Sequence, residues 1–195
     1  MFGVFSPRHG RPKFLLIPRG IVFAGLVAWF AGLVAWVGCG DPVADAAVSA
    51  LGPEAADVPP GPKHRPGQPC VVCHGPSGDA KPAFSLAGTL YREKGNPVVL
   101  GHADVTVTDA GGRKFVARSN CAGNFYVASD QFAPVAPFWV SVSYLAETID
   151  MESPVYREGS CAACHREPAG SLSAGAVFLT ESDRAKLIPV VPCVD

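Results

Sequence analysis

Residues 138–145 read Phe-Trp-Val-Ser-Val-Ser-Tyr-Leu, and this stretch decides the fold that the sequence predicts. Every second position carries a large apolar side chain, namely Phe138, Val140, Val142 and Tyr144. Successive side chains of a β-strand point to opposite faces of a sheet. The alternation therefore predicts a strand that buries one face against a core.

Four earlier stretches share the enrichment in β-branched and aromatic residues that is typical of strands. They span 84–92, 103–108, 113–118 and 123–128. Glycines within 109–112 and 120–123 predict tight turns, because glycine tolerates positive φ. Short strands joined by close turns predict a mainly β protein, a small antiparallel β-sandwich with its core at about 84–150. We also expect a returning strand at 176–180 and at most a short helix within 181–188.

This segment resembles a known family. The stretches that carry the likeness are 87–91 (Ala-Gly-Thr-Leu-Tyr), 103–109 (Ala-Asp-Val-Thr-Val-Thr-Asp), Gly111 and 123–127 (Gly-Asn-Phe-Tyr-Val). Together they are similar to the carboxypeptidase regulatory-like, transthyretin-like β-sandwich. That family has a Gly-Ala pair before its second strand, whereas here His102 separates the two residues. The resemblance covers about 84–150 and implies a fold without a catalytic activity.

Two copies of one five-residue pattern flank the predicted sandwich. Residues 70–74 read Cys-Val-Val-Cys-His, and residues 161–165 read Cys-Ala-Ala-Cys-His. Cys-x-x-Cys-His is the attachment pattern of c-type haem. Two intervening residues let both thiols reach the vinyl groups on one porphyrin edge, and the adjacent histidine binds the iron. The sequence thus predicts two covalently bound c-type haems in loops flanking the sandwich, held by Cys70, Cys73, Cys161 and Cys164, with His74 and His165 as proximal iron ligands.

Other uses of a Cys-x-x-Cys pair remain open at this point. Two pairs can bind zinc as a Cys₄ site, although that leaves the histidine after each pair unexplained. A redox dithiol of the thioredoxin kind lies at a strand-to-helix junction, and neither copy has an obvious one. A structural disulfide within each pair is a further alternative.

Each iron needs a sixth ligand or keeps an open position. Beyond the proximal histidines, the exported part offers three candidate distal ligands: His64, His102 and Met151. Each also has an ordinary interpretation, as an exposed linker histidine, a surface loop histidine and a core methionine respectively. The sequence alone assigns none of them to a particular haem.

Residues 1–38 predict an address outside the cytoplasm. A basic stretch without acidic residues precedes an uninterrupted apolar run at 21–38, as in a secretory signal peptide or a marginal membrane anchor. Residues 36–39 (Trp-Val-Gly-Cys) are similar to the lipobox of bacterial lipoproteins, which implies that Cys39 is acylated. Gly40 after it favours the outer membrane or the cell surface. An uncleaved anchor and cleavage near 44–46 are the alternatives, and all three place the chain in the cell envelope, on its periplasmic or outer side.

Residues 39–69 are rich in proline and alanine and predict an extended or disordered linker. The linker leads to a haem-binding domain at 70–195. Once the lipid and haem candidates are assigned, Cys121 and Cys193 remain. An oxidising compartment predicts a disulfide between these two, with two unrelated buried thiols as the alternative.

Acidic residues outnumber basic ones after residue 38, which argues against nucleic-acid binding. The sequence shows neither a plausible Ser-His-Asp set nor a phosphate loop. It predicts an exported dihaem c-type cytochrome, an electron carrier more than a catalyst. Such a protein exchanges electrons with redox partner proteins at or outside the envelope and is attached through a lipid or an N-terminal helix. The alternatives are a haem enzyme or ligand sensor with one open iron, and a non-haem surface interaction module.

Overall fold

The computed structural model describes residues 41–54, 58–96, 98–189 and 191–194. The segment predicted as signal peptide or anchor, 1–38, and the lipidation candidate Cys39 lie outside these residues. The described helices are α1 (Pro42–Ala50), α2 (Val71–His74), α3 (Cys161–Cys164) and α4 (Ser182–Ala185). The described strands are β1 (Phe84–Glu93), β2 (Asp104–Thr108), β3 (Lys114–Arg118), β4 (Asn124–Ala128), β5 (Trp139–Tyr144), β6 (Glu147–Asp150) and β7 (Val177–Thr180).

The strands form two sheets, one in the order β4-β1-β7 and one in the order β3-β2-β5-β6. All strand pairs are antiparallel except β1 with β7, which run parallel. The mainly β sandwich is therefore confirmed, and the five strands predicted first coincide with β1 to β5. The returning strand coincides with β7, and the short helix coincides with α4. Strand β6 was not predicted.

The core lies between the two sheets, and the period-two alternation explains which side chains enter it. In β5, Val142 and Tyr144 are only 5% and 6% exposed, while Trp139 on the opposite face is 44% exposed. Val105 and Val107 of β2 are fully buried beside them. Burying each such side chain stabilises the fold by about 1.5–3 kcal/mol relative to leaving it in water.

The C-terminal segment is fastened to the sandwich. A disulfide joins Cys121 to Cys193, as predicted, with a Cα–Cα distance of 5.4 Å. The guanidinium of Arg92 on β1 donates hydrogen bonds to the carbonyls of Ala185 and Ile188, at 2.7 and 2.6 Å. These bonds tie β1 to the last residue of α4 and to the segment just after it.

The expectation of an extended or disordered stretch at 39–69 is wrong for residues 42–50, which form α1. The carboxylate of Asp41 caps this helix by accepting from the N–H groups of Val43 and Ala44, and Pro42 occupies its first turn. In the part of the chain that the structure describes, no helix has the length and apolar character needed to cross a membrane.

Candidate functional site

Each Cys-x-x-Cys-His motif forms a single helical turn. The N–H of His74 donates to the carbonyl of Cys70 at 2.9 Å, and the N–H of His165 donates to the carbonyl of Cys161 at 2.8 Å. Residues i, i+3 and i+4 of a helix lie on one face. Both cysteines and the histidine of each motif therefore face the same side, as two thioethers and an axial ligand to one macrocycle require.

Both motif histidines are held by backbone carbonyls through one ring nitrogen. Nδ1 of His74 lies 2.8 Å from the carbonyl oxygen of Pro82, and Nδ1 of His165 lies 3.1 Å from that of Gly175. A carbonyl only accepts hydrogen bonds, so Nδ1 carries a proton, and in the neutral imidazole the lone pair is then on Nε2. Histidines that bind metals characteristically donate their other ring N–H in this way. Each histidine is thus in the tautomer that an iron ligand at Nε2 needs.

Strand β1 supports both motifs. Helices α2 and α3 each contact it. At its start, Phe84 stacks on the ring of His74, with ring centroids 4.3 Å apart, and Phe84 stacks in turn on Tyr126 of β4 at 4.7 Å. Further along, the N–H of Ala87 donates to the carbonyl of Gly159, just before the second motif, at 2.9 Å.

A glycine in β1 makes room for the second motif. A Cβ on Gly88 would lie 2.8 Å from Cβ of Cys161, 3.0 Å from its Sγ and 3.0 Å from Cε1 of Phe125. Glycine inside a strand often marks such a close approach. The first cysteine of the second motif is therefore seated directly on the strand that also carries the first motif.

The thiols of the two motifs are close enough to interact electrostatically. Burial raises the pKa of the Cys161 thiol to about 12, and Cys70 of the other motif adds to this rise. Burial likewise raises the pKa of Cys70, with a further contribution from Cys73. These two thiols are therefore neutral near pH 7.

The structure does not assemble a Cys₄ zinc site. Within the described ranges, no three ligand atoms from the two motifs lie within 4.8 Å of one another. Cys70, Cys73, Cys161 and Cys164 are all free, so neither motif forms a disulfide. The four cysteines therefore form no disulfide, and the two cysteines of each motif lie beside the histidine of the same motif.

The second motif borders a cavity of about 390 Å³ between the two sheets. This second-motif cavity has a largely apolar wall from the inner faces of β1, β4 and β5, and its remaining lining includes Met151, Ser160, Cys161, Cys164 and His165. Its volume falls within the range of roughly 300–1,000 Å³ that ligand pockets occupy.

One polar atom in the wall of this cavity has no partner. The hydroxyl oxygen of Ser160, in a residue only 4% exposed, makes no hydrogen bond, and it is the one such buried side-chain atom among the described residues. Buried polar groups are normally satisfied, so an orphan hydroxyl in a cavity wall indicates a missing polar neighbour. The second-motif cavity thus combines apolar walls with two thiols, one imidazole and an unsatisfied hydroxyl donor. This combination fits an apolar macrocycle with polar edge groups.

The structure separates the three candidate distal ligands. The ring centroid of His64 lies 5.9 Å from that of His74, at the first motif. Met151 lines the second-motif cavity together with His165. His102 lines a different, smaller cavity that includes Asp104 and Arg118.

The structure places His102 beside the Cys121–Cys193 disulfide, and its role as a distal ligand stays a prediction. A ring nitrogen of His102 lies within 4.8 Å of the sulfurs of Cys121 and Cys193. Those two sulfurs are bonded to each other, so they are not thiolates and do not complete a metal site with the histidine. The left-handed backbone of His102, with φ 61°, belongs to the turn into β2.

No family model, curated protein or solved structure matches this chain. The family likeness of residues 84–150 stays a prediction. The sandwich and the placement of the two motifs rest on the structure itself.

Sequence reasoning missed several residues that build the sites. Pro82 and Gly175 orient the two histidines through backbone carbonyls, and nothing in a sequence identifies a carbonyl acceptor. Ser160 belongs to no sequence motif that would identify it as part of a site. Gly88 was the one readable signal, because a glycine in the interior of a strand pattern points to a close neighbour.

Proposed function

We propose that this protein is an exported dihaem c-type cytochrome that carries single electrons between redox partner proteins at or outside the cell envelope. The observation that carries the proposal is the shared geometry of the two motifs. In each, a helical turn brings two cysteines and a histidine to one face, and a backbone carbonyl holds Nδ1 of that histidine. When bound, each haem supplies a reversible one-electron Fe(III)/Fe(II) couple.

The residues of the chain would hold and orient the two groups. Cys70 and Cys73 would form thioethers at the first site, and Cys161 and Cys164 at the second. In each addition the sulfur bonds to one vinyl carbon and the thiol hydrogen goes to the other, so no oxidant or reductant is needed. His74 and His165 would each donate the Nε2 lone pair to one iron.

The positions of the two motifs and the apolar cavity favour electron transfer over catalysis of a chemical reaction. Both motifs contact one strand, so the sandwich would fix the two irons relative to each other. The apolar wall of the second-motif cavity would keep water away from most of the macrocycle, which is one of the means by which proteins set a haem potential. The location in the envelope rests on the sequence of residues 1–38.

Haem stoichiometry tests the proposal. The full chain is produced in a bacterial host with a c-haem maturation system, and the pyridine haemochrome spectrum gives haems per chain. We expect two thioether-linked haems, with one lost in Cys70→Ala/Cys73→Ala and the other in Cys161→Ala/Cys164→Ala. A colourless protein from the same host, or one containing zinc without iron, would refute it.

One observation favours a second candidate, a ligand sensor or enzyme with one open iron. Among the described residues that line the second-motif cavity, His165 is the only histidine, and Met151 is the only other usual axial ligand. If Met151 does not coordinate, the second iron has a free position in a cavity. Carbon monoxide binding by the reduced protein, localised with Cys161→Ala/Cys164→Ala, distinguishes this sensor from a pure carrier.

A further inference from the structure

The segment 61–69, which precedes the first motif, is bound to the sandwich. The side-chain amide of Asn124 donates to the carbonyl of His64 at 2.9 Å and to that of Pro62 at 3.3 Å. The amide of Asn120 donates to Pro62 as well, at 2.6 Å. The backbone at His64 is therefore fixed by β4 and by the turn before it.

A buried network supports this attachment. The hydroxyl of Thr89 on β1 donates to the side-chain oxygen of Asn124 and accepts from the N–H of Gly67, both at 2.7 Å. Thr89 and Asn124 are 6% and 5% exposed. Because a buried polar group that loses its partner costs about 1–3 kcal/mol, each bond in the network holds the next in place.

The ring of His64 is oriented in the same manner as those of the motif histidines. Its Nδ1 donates a hydrogen bond to the carbonyl of Gly61, and in the neutral ring this tautomer has its lone pair on Nε2. The ring centroids of His64 and His74 are 5.9 Å apart, and the two rings are stacked, with their planes within 28° of each other. Metal–imidazole bonds of about 2.0–2.1 Å place the ring centroids on the two sides of one metal ion roughly 6 Å apart.

We propose that His64 is the sixth ligand of the first iron, opposite His74. This inference rests on the proposed function. The bond is dative, formed by the Nε2 lone pair, so no proton or electron is transferred when it forms. With imidazoles on both sides, the first iron takes up and releases one electron without changing ligands, and it has no position for an external molecule. A bis-imidazole iron also has a lower potential than one with a methionine ligand.

The experiment uses the matured full chain and three variants, His64→Ala, His64→Met and His102→Ala. His102→Ala is the matched control, because this histidine lines a different cavity, beside the Cys121–Cys193 disulfide. Haems per chain are counted first, and a wild type with fewer than two would overturn the proposed function. Spin state by electron paramagnetic resonance, carbon monoxide uptake after reduction and potentiometric titration then test the ligand.

We expect His64→Ala to bind about one more carbon monoxide per chain than the wild type and to show a new high-spin iron signal. His64→Met, which offers a replacement ligand, should restore a low-spin iron and raise the potential of one haem while leaving the other unchanged. His102→Ala should match the wild type in all three measurements. Two haems with wild-type spin state, carbon monoxide uptake and potentials in both His64 variants would overturn the ligand assignment and leave the proposed function standing.

Discussion

Replacing Gly88 by alanine is expected to destabilise the protein and to impair the second motif selectively. The added methyl group would lie 2.8 Å from Cβ of Cys161, and 3.0 Å from both its Sγ and a ring carbon of Phe125. Ordinary contacts of this kind measure 3.4–4 Å, so those atoms must move by roughly half an ångström. Strand β1 is paired on both sides and cannot easily move instead.

The magnitude follows from two opposing effects. Overpacking a filled site costs about 1–3 kcal/mol. Alanine also restricts the unfolded chain more than glycine does, which returns about 0.4–1 kcal/mol. The net loss in the free energy of unfolding is about 1–2 kcal/mol, and a domain of this size then melts roughly 3–6 °C lower. Because the side chain of Cys161 must move, haem attachment at the second motif should fall while the haem at the first motif is retained.

Thermal melting by circular dichroism and haem counting on the matured protein measure both effects. Gly170→Ala is the control, because a Cβ at Gly170 meets nothing within 4 Å. It should melt within about 1 °C of the wild type and retain both haems. A Gly88→Ala protein that melts with the wild type and carries two haems would show that Cys161 is not seated on β1.

Three further predictions concern the thiols and one buried acid. Replacing both Cys121 and Cys193 by serine opens a loop spanning 72 positions and should lower the free energy of unfolding by about 4 kcal/mol in denaturant titration; an unchanged midpoint would contradict the disulfide. Burial raises the pKa of Asp109, but hydrogen bonds from Arg113 outweigh it and hold the pKa below its usual range. The stabilisation from the Asp109 carboxylate is complete above its pKa in the unfolded chain and is lost as the pH falls through its pKa in the folded protein. Acidification to pH 3 should therefore lower the Tm of the wild type more than the Tm of Asp109→Asn. In chain made without haem, the half-buried Cys161 should react with iodoacetamide at pH 8 far more slowly than the exposed Cys164, because only the thiolate reacts and the pKa of Cys161 is about 12. Equal rates by mass spectrometry would refute the raised pKa.

The strands were predictable where the signal is local. Strand β5 alternates apolar and small polar side chains from Val140 to Tyr144, and β2 alternates valine with polar residues. Strand β6 was not predicted because Ile149 is its only apolar residue, and even that side chain is 37% exposed. It forms because β5 offers an unpaired edge, and its own side-chain pattern contributes little.

The N-terminal region shows a local signal that composition obscured. Asp41 followed by Pro42 is a helix start, yet the many prolines of 39–69 favoured an extended chain. The placement of His64 had no local signal at all. It depends on Asn124, which lies 60 positions further along the chain. The motif residues follow from a pattern of five positions, whereas the proposed second axial ligand follows from a tertiary contact.

The second-motif cavity shows that the side chains of the two sheets do not fill the space between them. Under the proposed function, the prosthetic group is a structural part of the sandwich as well as its redox centre. A group bound only by the native state adds its binding free energy to the stability of that state. Newly exported chain would then remain less stable until attachment is complete, and the envelope's proteases would remove preferentially those copies that maturation had passed over.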